Sequence, residues 1–66
     1  MKTYVLVDAS ERRYEGDDTL EIISECSSKK EAKEELEYFK NRPYNKPLQK
    51  FEIEVWENGK FLSILT

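Results

Sequence analysis

The sequence predicts an α+β fold: a two-layer sandwich in which one helix packs on one face of a four-stranded, mostly antiparallel sheet. Three observations predict it. Several segments show the residue alternation of strands, one segment has a helix start signal followed by an apolar stripe, and Asn58-Gly59 is the sequence of a two-residue hairpin turn. The element order is β-β-α-β-β. Since the chain has 66 residues, we expect one small domain, residues 1–66.

The first two strands are predicted at residues 2–8 and 19–26. Residues 2–8 read KTYVLVD, which is rich in β-branched and aromatic residues and apolar on both alternating faces, as in a central strand. Residues 19–26 read TLEIISEC and alternate, which places Ile23 on the face opposite the helix. The polar stretch 9–18 between them is expected to be a loop of unspecified conformation.

A helix is predicted at residues 29–41. Ser28 and Glu31 have the spacing of a capping box, in which the serine hydroxyl accepts from the backbone N–H three residues later. An apolar stripe with helical spacing follows, formed by Ala32, Leu36 and Phe39. Pro43 disfavours helical backbone at the residue before it, so the helix should end at about Asn41.

The last two strands are predicted as a hairpin, at residues 50–57 and 60–65. A two-residue turn sets Glu57 opposite Lys60 and predicts continuous alternation from there. The face toward the helix would then carry Phe51, Ile53, Val55, Leu62 and Ile64. The opposite face would carry Trp56, Phe61 and Leu65 beside Glu52 and Glu54. Because the first and fourth strands are the most apolar, the predicted strand order is 2-1-4-3.

Composition excludes several functions. The net charge of −3 and the isoelectric point near 5.0 disfavour non-specific nucleic-acid binding, which needs basic residues. The chain has no histidine, so it lacks the commonest general base and metal ligand. We therefore expect no enzyme activity, no cofactor and no bound metal. An acidic run in residues 8–21 matches no calcium loop.

The single cysteine and the shortness of the apolar runs indicate the cellular compartment to expect for this protein. Cys26 has no second cysteine to pair with, and we expect it to be a small core residue in a reducing compartment. The apolar run near the N-terminus, residues 4–7, is far too short for a signal peptide or a membrane span. These features predict a cytoplasmic protein that does not enter a membrane.

The helix-free face of the sheet is the main candidate site. One helix covers one side only, so the aromatic residues of the hairpin lack an obvious cover. Aromatic anchors on a rigid sheet are typical of protein interfaces. The predicted partner-binding residues are Trp56, Phe61, Leu65, Glu52 and Glu54. The alternative is internal packing, in which Tyr14 or Tyr44 folds over from a loop or the Trp–Phe pair only stabilises the hairpin.

A basic stretch gives a second candidate contact. Residues 29–50 hold seven basic and four acidic groups, in contrast to the acidic segments on either side. The predicted secondary contact consists of Lys40, Arg42, Tyr44 and Lys46. It would suit an acidic partner, although ordinary solvated lysines explain the same pattern.

The C-terminal segment FEIEVWENGKFLSIL follows a short helix rich in lysine and glutamate. In this it resembles the endings of small uncharacterised proteins encoded by phages and prophages of Gram-positive bacteria, over about the last forty residues of the chain. The resemblance carries over no functional residue. It implies a protein that works without catalysis by binding a host enzyme or immune effector, with an acidic surface suited to targets that normally hold nucleic acid.

The sequence therefore favours a small non-enzymatic protein–protein interaction module that uses the helix-free sheet face, such as a phage-type inhibitor or modulator of a host protein. The partner is another protein or a second copy of the chain, and the sequence leaves both open. The alternative is a nucleic-acid-binding module that uses the sheet aromatics and the basic loop at residues 40–50. Against it, Glu52 and Glu54 beside Trp56 would repel a phosphate chain.

Overall fold

A computed structural model describes residues 1–42 and 50–65. Its elements are β1 Lys2–Asp8, β2 Glu21–Cys26, α1 Lys29–Lys40, β3 Phe51–Glu57 and β4 Lys60–Ile64. All neighbouring strands pair antiparallel, and α1 contacts β1, β2 and β3 from one side of the sheet. This confirms the predicted α+β fold with the order β-β-α-β-β. The second strand begins two residues later than predicted.

The helix begins and ends where the capping residues dictate. Ser28 has extended backbone, and its hydroxyl accepts from the Glu31 backbone N–H at 3.2 Å. At the other end the Asn41 backbone N–H donates to the Glu37 carbonyl at 3.2 Å, so Asn41 is the cap rather than the last helical residue. Ala32 is fully buried against the sheet, as the predicted stripe requires.

The strand order is β2-β1-β3-β4, so the predicted order 2-1-4-3 is wrong. β1 is an inner strand, as its two apolar faces indicate. The other inner strand is β3, although it carries glutamates, because Arg12 from the loop after β1 neutralises Glu52 and Glu54. β4 lies at the edge, and its Leu62 is 47% exposed.

A β-bulge in β2 reverses the predicted orientation of one residue. Leu6 pairs with Ser24 and Val7 with Ile22, so Ile23 is an extra residue between them. Ile23 packs against the core on the helix side, and the predicted position on the opposite face is wrong. A sequence that alternates regularly gives no sign of such an insertion.

A second bulge lies in β4. The predicted pairs Glu57–Lys60 and Trp56–Phe61 are confirmed, but Ser63 lies opposite Val55, which leaves Leu62 as the extra residue. Regular alternation predicts the further pairs Val55–Leu62, Glu54–Ser63 and Ile53–Ile64, and these are shifted by one. Ile64 lies opposite Glu54 on the face without the helix, so its predicted position toward the helix is wrong.

The second bulge also moves Leu65. Its backbone N–H donates to the Ile53 carbonyl at 2.8 Å, and its side chain packs against the helix-side core. The predicted placement of Leu65 on the helix-free face is therefore wrong.

Two clusters of apolar residues lie on the two sides of the sheet. The main core, under the helix, contains Leu6, Cys26, Ala32, Phe51 and Ile53. The second cluster, on the other side, contains Val5, Val7 and Ala9 with Leu20 and Trp56 packed against it. The side of the sheet without the helix thus has an apolar cluster of its own, and other parts of the chain partly cover it.

Candidate functional site

We call the side of the sheet without the helix the open face. Because directly paired residues point to the same side of a sheet, the register places its residues in three cross-strand rows. The rows are Thr3, Trp56 and Phe61; then Glu25, Val5, Glu54 and Ile64; then Ile22, Val7 and Glu52. Valines form the centre of the face, with carboxylates on both sides of Val5.

The loop between β1 and β2 covers part of the open face. Gly16 lies over Phe61, so close that a Cβ built on Gly16 would be 3.4 Å from the ring atom Cγ. Its φ of +79° is a conformation that favours glycine. The predicted covering residues were different: Tyr14 is 55% exposed, and Tyr44 lies outside the residues that the structure describes.

Arg12 in this loop forms a buried ion-pair cluster with β3. Its Nη2 lies 2.9 Å from Glu54 Oε2 and 3.2 Å from Glu52 Oε1. The Trp56 indole N–H donates to Glu54 Oε1 at 3.0 Å, and Lys50 Nζ lies 3.9 Å from Glu52 Oε2. The Glu54 side chain is only 3% exposed, so both of its oxygens are bound from within the protein.

Asp17 holds the rest of the loop in place. Its side chain is fully buried and accepts from the backbone N–H and the hydroxyl of Thr19, at 3.0 and 2.6 Å. The Arg13 backbone N–H and Nε donate to its other oxygen at 3.3 and 3.4 Å. The Thr19 hydrogen bonds, followed by those from Arg13, hold the pKa of Asp17 well below its usual range. Asp17 is therefore an anionic anchor for the loop.

A cavity of about 310 Å³ opens on this face between the loop and the strands. Its apolar wall is formed by Val5, Val7, Leu20, Ile22 and Trp56. Asp18 and Glu25 also line it, and both are exposed to solvent. A volume near the lower end of the range for ligand sites, roughly 300–1,000 Å³, suits one or two side chains better than a large cofactor.

The charged side chains described in the cavity lining are acidic. Among the described residues that line the cavity, the charged side chains are the three carboxylates of Asp18, Glu25 and Glu54. Arg12 neutralises Glu54, whereas Asp18 and Glu25 have no ion-pair partner within residues 1–42 and 50–65. The cavity therefore favours cations and repels anions.

The predicted site residues are only partly brought together here. Trp56 lines the cavity, and Phe61 packs edge-to-face against it with 5.7 Å between ring centroids. Glu52 and Glu54 lie on the same face but are occupied by Arg12. Leu65 lies on the other side of the sheet.

Sequence reasoning missed the residues that form most of the cavity. Val5 and Val7 come from β1, whose two apolar faces predict that one of its apolar sets lies on the open face, although the sequence did not show which residues these are. Ile22 is 57% exposed on the open face only because of the bulge at Ile23. Asp18 and Glu25 could not be assigned to a site before the fold of the loop was known.

The predicted secondary contact is on a different part of the molecule. The Arg42 guanidinium lies over the Phe39 ring at 4.3 Å from its centroid, and Phe39 belongs to the helix-side core. Lys40 is exposed in the last turn of α1. Tyr44 and Lys46 lie outside the described residues. Arg42, one of the predicted secondary contact residues, thus lies on the side of the sheet opposite the cavity.

Residues 1–42 and 50–65 contain no group of three or more His, Cys, Asp or Glu residues placed to hold a metal ion. None of their helices is long and apolar enough to cross a membrane. Comparison with protein-family models, curated protein sequences and solved structures gave no match to this chain.

Proposed function

We propose that this protein is a small non-enzymatic interaction module that binds another protein through the open face, acting in the cytoplasm as an inhibitor or modulator of the phage type. The observation that carries the proposal is the open-face cavity, whose apolar wall ends in carboxylates without ion-pair partners among the described residues. Cys26 is a buried free thiol, which suits a reducing compartment.

The exposed apolar surface of the cavity supports a protein partner. Ile22 is 57% exposed beside Trp56, which is only half-buried. Tryptophan is enriched among the residues whose removal weakens protein complexes most, and a central apolar pocket with a polar rim is the usual arrangement of an interface.

The charges favour a different protein over a second copy. In a symmetric dimer the same patch meets itself, so the interface would enclose two copies of the Asp18 and Glu25 carboxylates. Like charges held together at an interface are costly. A partner with basic residues would complement them, and a nucleic-acid backbone would be repelled.

The test is capture from lysate of the host, with and without nuclease, using matched variants. Ile22→Ser removes an exposed apolar side chain from the cavity, and Tyr38→Ser removes one of similar exposure, 63%, from the helix. We expect one stoichiometric protein that survives nuclease and is retained by the Tyr38→Ser variant but lost with Ile22→Ser. Titration of the purified partner should show affinity at least tenfold weaker for Ile22→Ser, a loss of about 1.4 kcal/mol or more.

Three outcomes would contradict the proposal. Retention of nucleic acid, or of proteins that nuclease releases, would favour the nucleic-acid-binding alternative. Equal binding by the two variants would place the contact elsewhere on the molecule. A dimer mass for the pure protein in light scattering, reduced to the monomer mass by Ile22→Ser, would mean that the open face binds a second copy.

A further inference from the structure

We propose that the open-face cavity receives the side chain of a lysine or arginine residue of the bound protein. This inference rests on the proposed function and specifies the chemistry of the contact. Lysine and arginine combine an apolar stem with a cationic end. The cavity offers an apolar wall for the stem and exposed carboxylates for the cationic end.

The apolar part of the cavity fits the stem. Val5, Val7 and Leu20 form a wall that is continuous with the indole of Trp56. Methylene groups packed on this wall would be removed from water, which favours binding. The Trp56 ring also attracts a cation placed over its face.

The carboxylates at the solvent side fit the cationic end. Asp18 and Glu25 are exposed and have no ion-pair partner among the described residues. Glu25 lies directly opposite Val5 in the register, so its charge sits beside the apolar wall. A neutral apolar side chain would form no ion pair with these carboxylates, and an acidic one would add a further charge of the same sign.

The protein already accommodates one guanidinium on this face. Arg12 reaches across from the loop and places Nη2 between Glu52 and Glu54, and the indole N–H of Trp56 donates to the other oxygen of Glu54. The Arg12 side chain is only 12% exposed there. The open face thus already pairs one cationic nitrogen, Arg12 Nη2, with carboxylates, and the cavity offers the Asp18 and Glu25 carboxylates, with which Arg12 forms no ion pair.

The experiment uses three blocked amino acids as probes: the Nα-acetyl methylamides of lysine, arginine and norleucine. Norleucine matches the lysine stem but lacks the ammonium group, so it reports the apolar contribution alone. Each probe is titrated into the 66-residue chain, and NMR follows the amide signals of Val5, Val7 and Ile22 and the indole signal of Trp56. We expect the two cationic probes to shift these signals and to bind at least threefold more tightly than norleucine.

Neutral variants test the role of the carboxylates. Asp18→Asn combined with Glu25→Gln should remove the advantage of lysine over norleucine. The matched control is Glu34→Gln combined with Glu37→Gln, which removes two exposed carboxylates from the helix on the other side of the sheet. The control should keep the full advantage, and added salt should reduce it.

The outcomes separate this inference from the proposed function. Equal binding of norleucine and lysine would overturn the inference and leave a purely apolar contact on the same face. Absence of shifts from any probe at concentrations on the order of 50 mM would also overturn it. The lysine probe could bind as expected while the captured protein binds Ile22→Ser as well as it binds the wild type. That result would support the inferred cavity chemistry and contradict the proposed protein interface.

Discussion

Arg12 Nη2 lies 2.9 Å from Glu54 Oε2, and this ion pair joins two residues that are 42 positions apart in the chain. Arg12 belongs to the loop after β1, and Glu54 is in the middle of β3. The pair fastens the loop over the open face and allows a glutamate-bearing strand to lie inside the sheet. Removing one partner leaves a buried charge alone, which is far more costly than the net gain of the intact pair.

Arg12→Met should therefore destabilise the protein strongly. It keeps an unbranched side chain but leaves Glu54 without its cation, and we expect a loss of about 3–5 kcal/mol in the free energy of unfolding. This is a large share of the roughly 5–15 kcal/mol typical of a domain. Urea denaturation followed by circular dichroism measures it.

Two further variants control this prediction. Lys33→Met removes an exposed cation from the helix and should cost about 0.5 kcal/mol or less. Adding Glu54→Gln to Arg12→Met removes the Glu54 charge that has lost its cation, so the double variant should be more stable than Arg12→Met alone. A loss below about 1 kcal/mol for Arg12→Met would show that the pair is not buried in solution.

Asp17 should make stability depend on acid pH. Hydrogen bonds from Thr19 and Arg13 hold its pKa in the folded protein well below the ordinary value. The unfolded chain therefore binds a proton first, and the stabilisation is fully present above the unfolded pKa of about 3.9. It is lost as the pH falls from there toward the lower folded pKa.

Thermal unfolding between pH 7 and pH 2 tests this point with a neutral variant. Asp17→Asn should have a lower Tm than the wild type at pH 7, and the difference should shrink as the pH falls. Asp18→Asn is the control, because Asp18 is exposed and adjacent in sequence. A difference between the wild type and Asp17→Asn that stays constant over the whole pH range would contradict the assigned role.

Leu62 and Leu65 test the bulge in β4. Regular alternation would bury Leu62 under the helix, but the structure leaves it 47% exposed and packs Leu65 into the core instead. Leu65→Ala should cost about 1–3 kcal/mol, whereas Leu62→Ala should cost about 0.5 kcal/mol or less. The reverse order of the two losses in urea denaturation would mean that β3 and β4 pair without a bulge.

Cys26 provides a probe of the whole core. It is only 6% exposed, under the helix beside Leu6 and Ile53. Its reaction with a thiol reagent such as DTNB should be roughly a thousandfold slower in the native protein than in urea, because the thiol reacts only when the core opens. Native-state reaction within a few fold of the unfolded rate would show that α1 does not cover the sheet stably.

The open face was partly predictable from the sequence. Trp56 and Phe61 could be paired because the Asn58-Gly59 turn fixes the first residues of the ladder. Beyond them the prediction fails at Leu62, where one extra residue reverses the side on which each later residue lies. The predicted orientation of Ile23 in β2 is wrong for the same reason, and the exposed residue on the open face is its neighbour Ile22.

The loop after β1 was the least predictable part of the site. Nothing in the segment ASERRYEGDD indicates that Arg12 forms an ion pair with Glu54 or that Asp17 is buried. These contacts join residues far apart in the chain, and local propensity carries no information about them. Glycine at position 16 is consistent with its positive φ, but only the fold shows that it lies over Phe61.

The sequence by itself determined the element types, the capped helix after Ser28, the hairpin turn and the antiparallel α+β arrangement, because these follow from residue periodicity and local hydrogen bonding. The tertiary structure decided the strand order, the two bulges and the cover over the open face. Each of these depends on which distant groups meet: β3 becomes an inner strand because Arg12 neutralises its carboxylates. The cavity has its acidic, apolar character because the fold brings Asp18 and Glu25, which have no ion-pair partner among the residues described, beside the valines of β1.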